Sequence, residues 1–409
     1  MYNGCMSTNV SIDLTLINKF LKRGVEKIYP SEELLKEKLL SGDRLKVYQG
    51  FDPTGPYLHI GHAMGIRALR ILQQLGHEVI FLVGDFTSKI GDPDKDIARK
   101  ILTDEQIQSN MEGWKKQAAQ LIDFEGNNPV KFLHNHDWLS KLKLEDILQL
   151  SSKATVQQMI ERDLFDRRIK KRDPVGLHEF LYPLMQGFDS VAMEVDMEIG
   201  GTDQTFNMLM GRNLVREYLG KEKFVRTHKM MNAPDGITMS KTKGNGINLG
   251  DTSQDIFGKT MSYPDSEIIN GFELLTDISD EEIQNIKQAL GNGENPMPYK
   301  KQLAYEIVKS LRGIEEAEES RNHFERTVQK KDLAEQDMVE IKMAQAPEKL
   351  IDFLKRCIDN EISNSDIRRT VEQGGVSIDG IVLKNTNEIV ELKNGTIIKF
   401  GKRKYFKVV

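Results

Sequence analysis

The chain has 409 residues, with 57 Lys and Arg against 62 Asp and Glu, a formal net charge of −5 and 39% hydrophobic residues. That length exceeds one ordinary domain and predicts two or three, while no apolar run is long enough to span a membrane. Net acidity argues against non-specific coating of nucleic acid. Two distant cysteines, Cys5 and Cys357, argue against a disulfide framework or a zinc knuckle. The opening residues, with Asn3, Ser7, Thr8 and Asp13, lack the basic and apolar regions of a signal peptide, so a reducing, cytoplasmic compartment is expected.

The first informative element runs from Val47 through Gly50-Phe51-Asp52-Pro53-Thr54-Gly55-Pro56-Tyr57-Leu58-His59-Ile60-Gly61-His62 and on through Ile66, Leu69, Leu72 and Leu75. It reads as a strand, a turn-rich loop and a helix. A helix start offers unpaired N–H groups and partial positive charge, which suit a phosphate. His59 and His62 share one face of that first turn, and Gly61 between them lets a flat ring or a phosphate come close. Residues 79–83, 130–133 and 224–227 read as buried strands, and 103–123 and 145–161 as amphipathic helices. The pattern is α/β with a parallel, doubly wound sheet that binds ligands at its carboxyl ends.

Within Phe180–Val191, Tyr182, Gln186 and Asp189 fall at offsets of four and seven and so form one polar stripe on an apolar helix. Buried polar groups need partners, so the stripe is either a core network or a ligand site. Asp203 and Gln204, in Gly200-Gly201-Thr202-Asp203-Gln204, fit an N-terminal helix cap. Asp235-Gly236-Ile237-Thr238-Met239-Ser240-Lys241-Thr242-Lys243-Gly244-Asn245 reads as a mobile loop able to close on phosphates. No dinucleotide fingerprint occurs. Gly258-Lys259-Thr260 fails as a phosphate loop because Ser253 stands where a glycine is required.

Residues 250–332 read as helical, 333–346 as a polar linker, and 347–409 as a small α+β segment. That segment has a helix Pro347–Ile358, a helix start at Ser363-Asn364-Ser365-Asp366 and strands near Val376, Ile381 and Ile397. It holds 12 Lys and Arg against 9 Asp and Glu, a basic tail on an acidic body, which suits an RNA contact at one end.

The order and spacing of the His-Gly-His and lysine-loop motifs resemble the HIGH and KMSKS signatures of class I aminoacyl-tRNA synthetases. GFDPTGPYLHIGH, GDFTSKIGDPD, EFLYPLMQGFDS and GGTDQTFNMLMGRNL resemble bacterial tyrosyl-tRNA synthetases, from about residue 25 to the C-terminus. The resemblance implies a Rossmann-like catalytic domain (1–249) with an inserted dimer-interface segment, a helical anticodon-side domain (250–332), a linker (333–346) and an RNA-binding domain like ribosomal protein S-four (347–409). It also implies a homodimer that activates L-tyrosine with ATP and magnesium, with no protein-bound metal, and charges tRNA(Tyr).

Residue by residue, the resemblance assigns Tyr182, Gln186 and Asp92 to the tyrosine ammonium group, and Asp189 and Tyr48 to its phenol. Asp203 and Gln204 match contacts to the ribose and the amino-acid carboxyl, and Met230 and Met231 match residues packed on adenine. Asp52 and Gly61 join the ATP contacts. Thr54, His59, His62, Lys241 and Thr242 meet charge developing on the phosphates. Arg368, Arg369, Lys402, Arg403 and Lys404 contact RNA. Two positions depart from the pattern: Thr238 replaces the usual first loop lysine, and Gln49 stands where a small residue often lies near the ribose. A non-catalytic RNA-binding paralogue is the alternative that Thr238 leaves open.

Overall fold

Five of the six residues in Glu78–Val83 are buried, as a strand covered on both faces requires. In the computed structural model this segment is β3 of a six-stranded sheet. The other strands are β1 (Val25–Tyr29), β2 (Lys46–Phe51), β4 (Lys131–His134), β5 (Met197–Gly201) and β6 (Phe224–His228), in the order β1-β6-β5-β2-β3-β4. The structure describes residues 10–91, 102–160, 163–231, 246–330, 338–341, 347–358, 362–390, 392–401 and 404–409. Contacts divide the chain into two compact units, 1–317 and 318–409.

In the first unit, β2 pairs in parallel with β3 and β5, β3 with β4, and β5 with β6, while β1 runs antiparallel to β6 at the edge. The parallel sheet read from the sequence therefore gains an antiparallel edge strand. β5 is also an addition to the strands read from the sequence, and all five of its residues are buried. The helices that matter to the site are α1 (Leu14–Lys22), α2 (Ile60–Gln74), α3 (Tyr182–Ala192), α4 (Thr205–Leu219) and α5 (Ile268–Leu275). The helix expected over 103–123 divides into Asp104–Met111 and Trp114–Ala118 around Gly113, and that over 145–161 into Leu144–Ser151 and Val156–Ile160 around a serine pair. Glycine adds backbone entropy and serine competes for backbone hydrogen bonds, so both interrupt helices that apolar periodicity alone would continue. No helix among the described residues is long and apolar enough to cross a membrane.

Two buried imidazoles make this unit sensitive to acid. His77 Nδ1 accepts from the Leu45 N–H at 3.2 Å, a bond open only to the neutral ring. Burial pushes both His77 and His228 from 6.5 down to about 4. The unfolded chain therefore binds more protons between those values. The stability is fully present above 6.5 and is lost as pH falls towards 4. Each ring should remove about 2 kcal/mol from the unfolding free energy by pH ~5. Urea unfolding across that range should show the decline, with a shallower slope for His77→Gln; equal slopes would contradict it.

The second unit contains β7 (Val339–Ile341), β8 (Glu348–Lys349), α6 (Leu350–Ile358), α7 (Asn364–Glu372), β9 (Val376–Ile378), β10 (Ile381–Leu383), β11 (Ile389–Val390), β12 (Ile397–Phe400) and β13 (Lys404–Val408). Five strands run β10-β9-β12-β13-β7, and β11 pairs with β8. The helix expected from Pro347 starts at Leu350, after β8. Leu350, Phe353, Leu354, Val371, Val376, Ile398 and Val408 build a separate core.

Candidate active site

The loop after β2 is held open by side chains that satisfy its backbone. Asn110 donates to the Pro53 carbonyl (2.9 Å), Trp114 to Gly55 (3.2 Å) and Gln117 to Pro56 (3.0 Å), while Gln117 Oε1 accepts from the Leu58 N–H (2.8 Å). The segment after the lysine loop is laced to the same place: the Ile60 N–H donates to the Ile247 carbonyl (2.9 Å) and that of Leu249 to Leu58 (2.7 Å). These bonds place the start of α2 beside the carboxyl ends of β2 and β5, the crevice where parallel sheets bind ligands.

His62 Nδ1 accepts from the His59 backbone N–H at 2.9 Å, and the two rings stack 3.8 Å apart. A Cβ at Gly61 would fall 2.8 Å from the His59 ring, so glycine here allows the imidazole to lie across the helix mouth. With Nδ1 accepting from backbone, the His62 ring is fixed in orientation at the helix mouth.

Across the crevice, Asp52 takes the Tyr182 hydroxyl on Oδ2 (2.9 Å) and the Thr87 hydroxyl on Oδ1 (2.8 Å), so it anchors the first residue of α3. Gln186, one turn on, is fixed at both ends of its amide. Nε2 donates to Glu198 Oε1 (3.0 Å), and Oε1 accepts from Asn207 Nδ2 (2.9 Å). Asn207 also donates to Gln204 Oε1 (3.2 Å), and Gln204 Nε2 donates to Asp203 Oδ2 (3.0 Å). The Tyr182–Gln186–Asp189 stripe is thus one face of α3, as the spacing predicts. It continues into the Asp203–Gln204 turn.

Asp189 is 3% exposed. Its Oδ1 accepts from Trp138 Nε1 at 2.7 Å and its Oδ2 from Asn135 Nδ2 at 3.2 Å. Burial pushes this carboxyl well above its usual range, and the two N–H donors oppose that shift. Neither Trp138 nor Asn135 is among the site residues read from the sequence. An aromatic after a short strand reads as core, and the spacing of 51 residues between Trp138 and Asp189 carries no local signal.

Tyr48, which the resemblance assigns to the phenol beside Asp189, is fully buried: its ring packs among Ile80, Leu82, Met193 and Val195, and its hydroxyl pairs with Ser190 Oγ at 2.8 Å. Ser190 Oγ also accepts from Lys223 Nζ (2.7 Å), which pairs with Glu198 and donates to the Met208 carbonyl (3.3 Å). Lys223 and Glu198 are 0% and 2% exposed. A wholly buried ion pair thus lies beneath Gln186, and it went unread because its members are 25 residues apart.

Gln49, the departure near the expected ribose position, packs against α2: its Oε1 lies 1.8 Å from where a Cβ at Gly65 would stand. Met231 is 1% exposed and Met230 38%, so only Met230 presents open surface. A Cβ at Gly201 would meet Asp203 Oδ1 at 2.4 Å and Met230 Sδ at 2.8 Å, which keeps the end of β5 flat between them. Thr54 is half-buried, with its N–H on the Asp52 carbonyl at 2.8 Å. Asp92, Lys241, Thr242, Lys402 and Arg403 lie outside the described residues. In the second unit Arg368 and Arg369 are exposed on α7, Arg369 bonds Asp366 at 2.7 Å, and Lys404 opens β13. Among the described residues no group of three or more His, Cys, Asp or Glu is arranged to hold a metal ion.

Residues 40–329 match the family model of class I tRNA synthetases of the W and Y type. Tyrosine--tRNA ligases of Dehalococcoides mccartyi and Moorella thermoacetica are 41% and 39% identical. The first alignment spans 96% of this chain and 98% of the relative, and the second 95% and 94%. That of Thermotoga maritima is 39% identical over 95% of this chain and 96% of its own. Among solved structures, a C-terminally truncated mitochondrial tyrosyl-tRNA synthetase of Aspergillus nidulans superposes with a TM-score of 0.64 at 22% identity, covering 76% of this chain and 93% of that one. The Archaeoglobus fulgidus tyrosyl-tRNA synthetase, complexed with L-tyrosine, gives 0.60 at 22% identity, covering 76% and 100%. These two likenesses concern the fold. With the near full-length sequence matches, the chain belongs to the tyrosine--tRNA ligase family of class I tRNA synthetases.

Proposed function

We propose that the chain activates L-tyrosine with ATP, supplied as its magnesium complex, and transfers the tyrosyl group to the terminal adenosine of tRNA(Tyr). Asp189 carries the reading. A buried carboxylate that already accepts two N–H bonds keeps lone pairs for one more donor, and the phenol O–H is that donor. Phenylalanine would leave the carboxylate short of a partner, the kind of loss that gives hydroxyl-reading sites their selectivity. Tyrosyl-tRNA synthetase is itself the standard example of that effect. Gln186, with Nε2 fixed on Glu198 and Oε1 on Asn207, holds its amide rigidly on the face of α3 that the resemblance assigns to the ammonium group.

The tyrosine carboxylate attacks the α-phosphorus in line, a P–O bond forms as the bond to the bridging oxygen breaks, and pyrophosphate leaves. The adenosine hydroxyl then attacks the acyl carbon and expels AMP. No protein nucleophile is involved, so rate comes from position and charge stabilisation. His62, His59 and Thr54 at the mouth of α2, with Lys241 and Thr242 from the loop, would meet that charge. Lys241 is the loop cation expected to matter most, since Thr238 supplies none.

We read the second unit, with Arg368, Arg369 and Lys404, as the RNA contact, and the exposed Leu144, Leu148, Val156 and Leu177 (62–83% exposed) as support for a homodimer interface. ATP–pyrophosphate exchange tests activation: tyrosine alone should support it, and equal exchange with tryptophan or phenylalanine would refute the assignment. Removing residues 331–409 should leave exchange intact, because the second unit has its own core, and should sharply weaken tRNA charging. Unchanged charging would refute the RNA role of the tail.

A further inference from the structure

In the first unit, residues of α1, α2, β6 and α5 line a pocket of about 40 Å³ whose lining includes none of the tyrosine or ATP residues assigned above. Its lining carries five cationic side chains, Lys19, Arg23, Arg67, Arg70 and Arg226, against two carboxylates, Glu273 and Asp277. Glu273 is engaged by Lys229 at 2.8 Å. Asp277 alone serves Lys19 (3.1 Å), Arg67 (2.7 Å) and Arg70 (2.8 Å). Arg23 spends its guanidinium on the carbonyls of Phe272, Glu273, Thr276 and Ile278, bonds of 2.6–3.1 Å that tie α1 to the end of α5, and its Nη1 also faces Asp280 at 3.6 Å.

Arg226 has no such carboxylate. It is 3% exposed. Its Nε and Nη2 donate to the carbonyls of Phe20 (2.9 Å) and Arg23 (3.0 Å) at the end of α1, and its guanidinium lies 4.8 Å from the Phe20 ring. Helix-end carbonyls and a ring face supply partial negative charge, but a buried full charge requires a full counter-charge. Arg226 Nη1 has no hydrogen-bond partner, nor has Nη1 of Arg67, which is 7% exposed. His228 donates from Nδ1 to the Lys229 carbonyl at 3.0 Å, so its unpartnered Nε2 lone pair suits a water rather than an anion.

We propose that this cavity binds a small inorganic anion, of halide size, between Arg67 Nη1 and Arg226 Nη1. A water needs roughly 10–15 Å³ of such space, so the volume admits a halide with a water against His228 and excludes a nucleotide or pyrophosphate. The anion would neutralise the uncompensated guanidinium and join α1, α2 and β6. Its site is separate from the tyrosine and ATP residues, so it stands whether or not their assignment does.

Crystals of the full chain grown with bromide in place of chloride, measured at the bromine edge, should give an anomalous peak within hydrogen-bond reach of both Nη1 atoms. Thermal unfolding in chloride should show a stabilisation absent in gluconate at equal ionic strength, rising linearly with the logarithm of chloride above its Kd with a slope of one ion. Arg67→Met, which spares the helix-end bonds of Arg226, should abolish both the peak and that slope. Water density without a peak would overturn the proposal. So would a peak whose loss leaves the anion dependence unchanged, which would mark an adventitious ion only.

Discussion

Replacing Lys223 with methionine is expected to cost the fold about 3–5 kcal/mol, the effect of breaking a buried ion pair by removing one partner. Lys223 Nζ is wholly buried and spends its donors on Ser190 Oγ, Glu198 and the Met208 carbonyl. Without it, Glu198 must either remain as an uncompensated charge or take up a proton. A protonated Glu198 is a weaker, uncharged acceptor whose O–H can turn towards Gln186, so the bond of 3.0 Å that orients the amide is weakened. The damage should therefore reach the amino-acid site: KM for tyrosine should rise about tenfold or more, equivalent to ~1.4 kcal/mol, while KM for ATP moves little. A double-mutant cycle isolates the pair. Lys223→Met with Glu198→Met should recover much of the stability lost in the single variant, whereas costs that add within about 0.5 kcal/mol would show the two side chains to be uncoupled.

The second large effect is expected at Asp189. Asp189→Asn keeps the shape but places an NH2 where Trp138 Nε1 and Asn135 Nδ2 both point donors. One donor then faces another, and the charge-assisted bond to the phenol is gone. Such losses amount to roughly 2–4 kcal/mol, or about thirty- to a thousandfold in kcat/KM for tyrosine. Phenylalanine makes no bond to the carboxylate, so its kcat/KM should fall much less and the preference for tyrosine should narrow. Equal falls for both amino acids would place Asp189 outside the phenol site.

The sequence made the α3 stripe legible because Tyr182, Gln186 and Asp189 lie within two turns of one helix, where period alone puts side chains on one face. The helix mouth at His59 and His62 was legible for the same reason. Tyr48 was legible only through the resemblance, because both faces of a central parallel strand are buried and alternation cannot separate pocket from core. Trp138, Asn135, Glu198 and Lys223 carry no local signal. Each acquires meaning only when β4, β5 and β6 come together, and a charged residue in a buried strand makes sense only beside its partner. β5 was hidden by its closing Gly200-Gly201, since glycine weakens a strand pattern; at Gly201 the lack of a side chain is what lets Asp203 and Met230 approach the strand end.

The central claim, that this site selects tyrosine and joins it to RNA, is tested most directly by offering the full chain all twenty amino acids at equal concentration with ATP, magnesium and total tRNA. The charged RNA is then digested with nuclease and the aminoacyl-adenosine identified by mass. Tyrosyl-adenosine alone is the expected product; tryptophanyl- or phenylalanyl-adenosine, or no aminoacyl-adenosine from a preparation that binds tRNA, would contradict it.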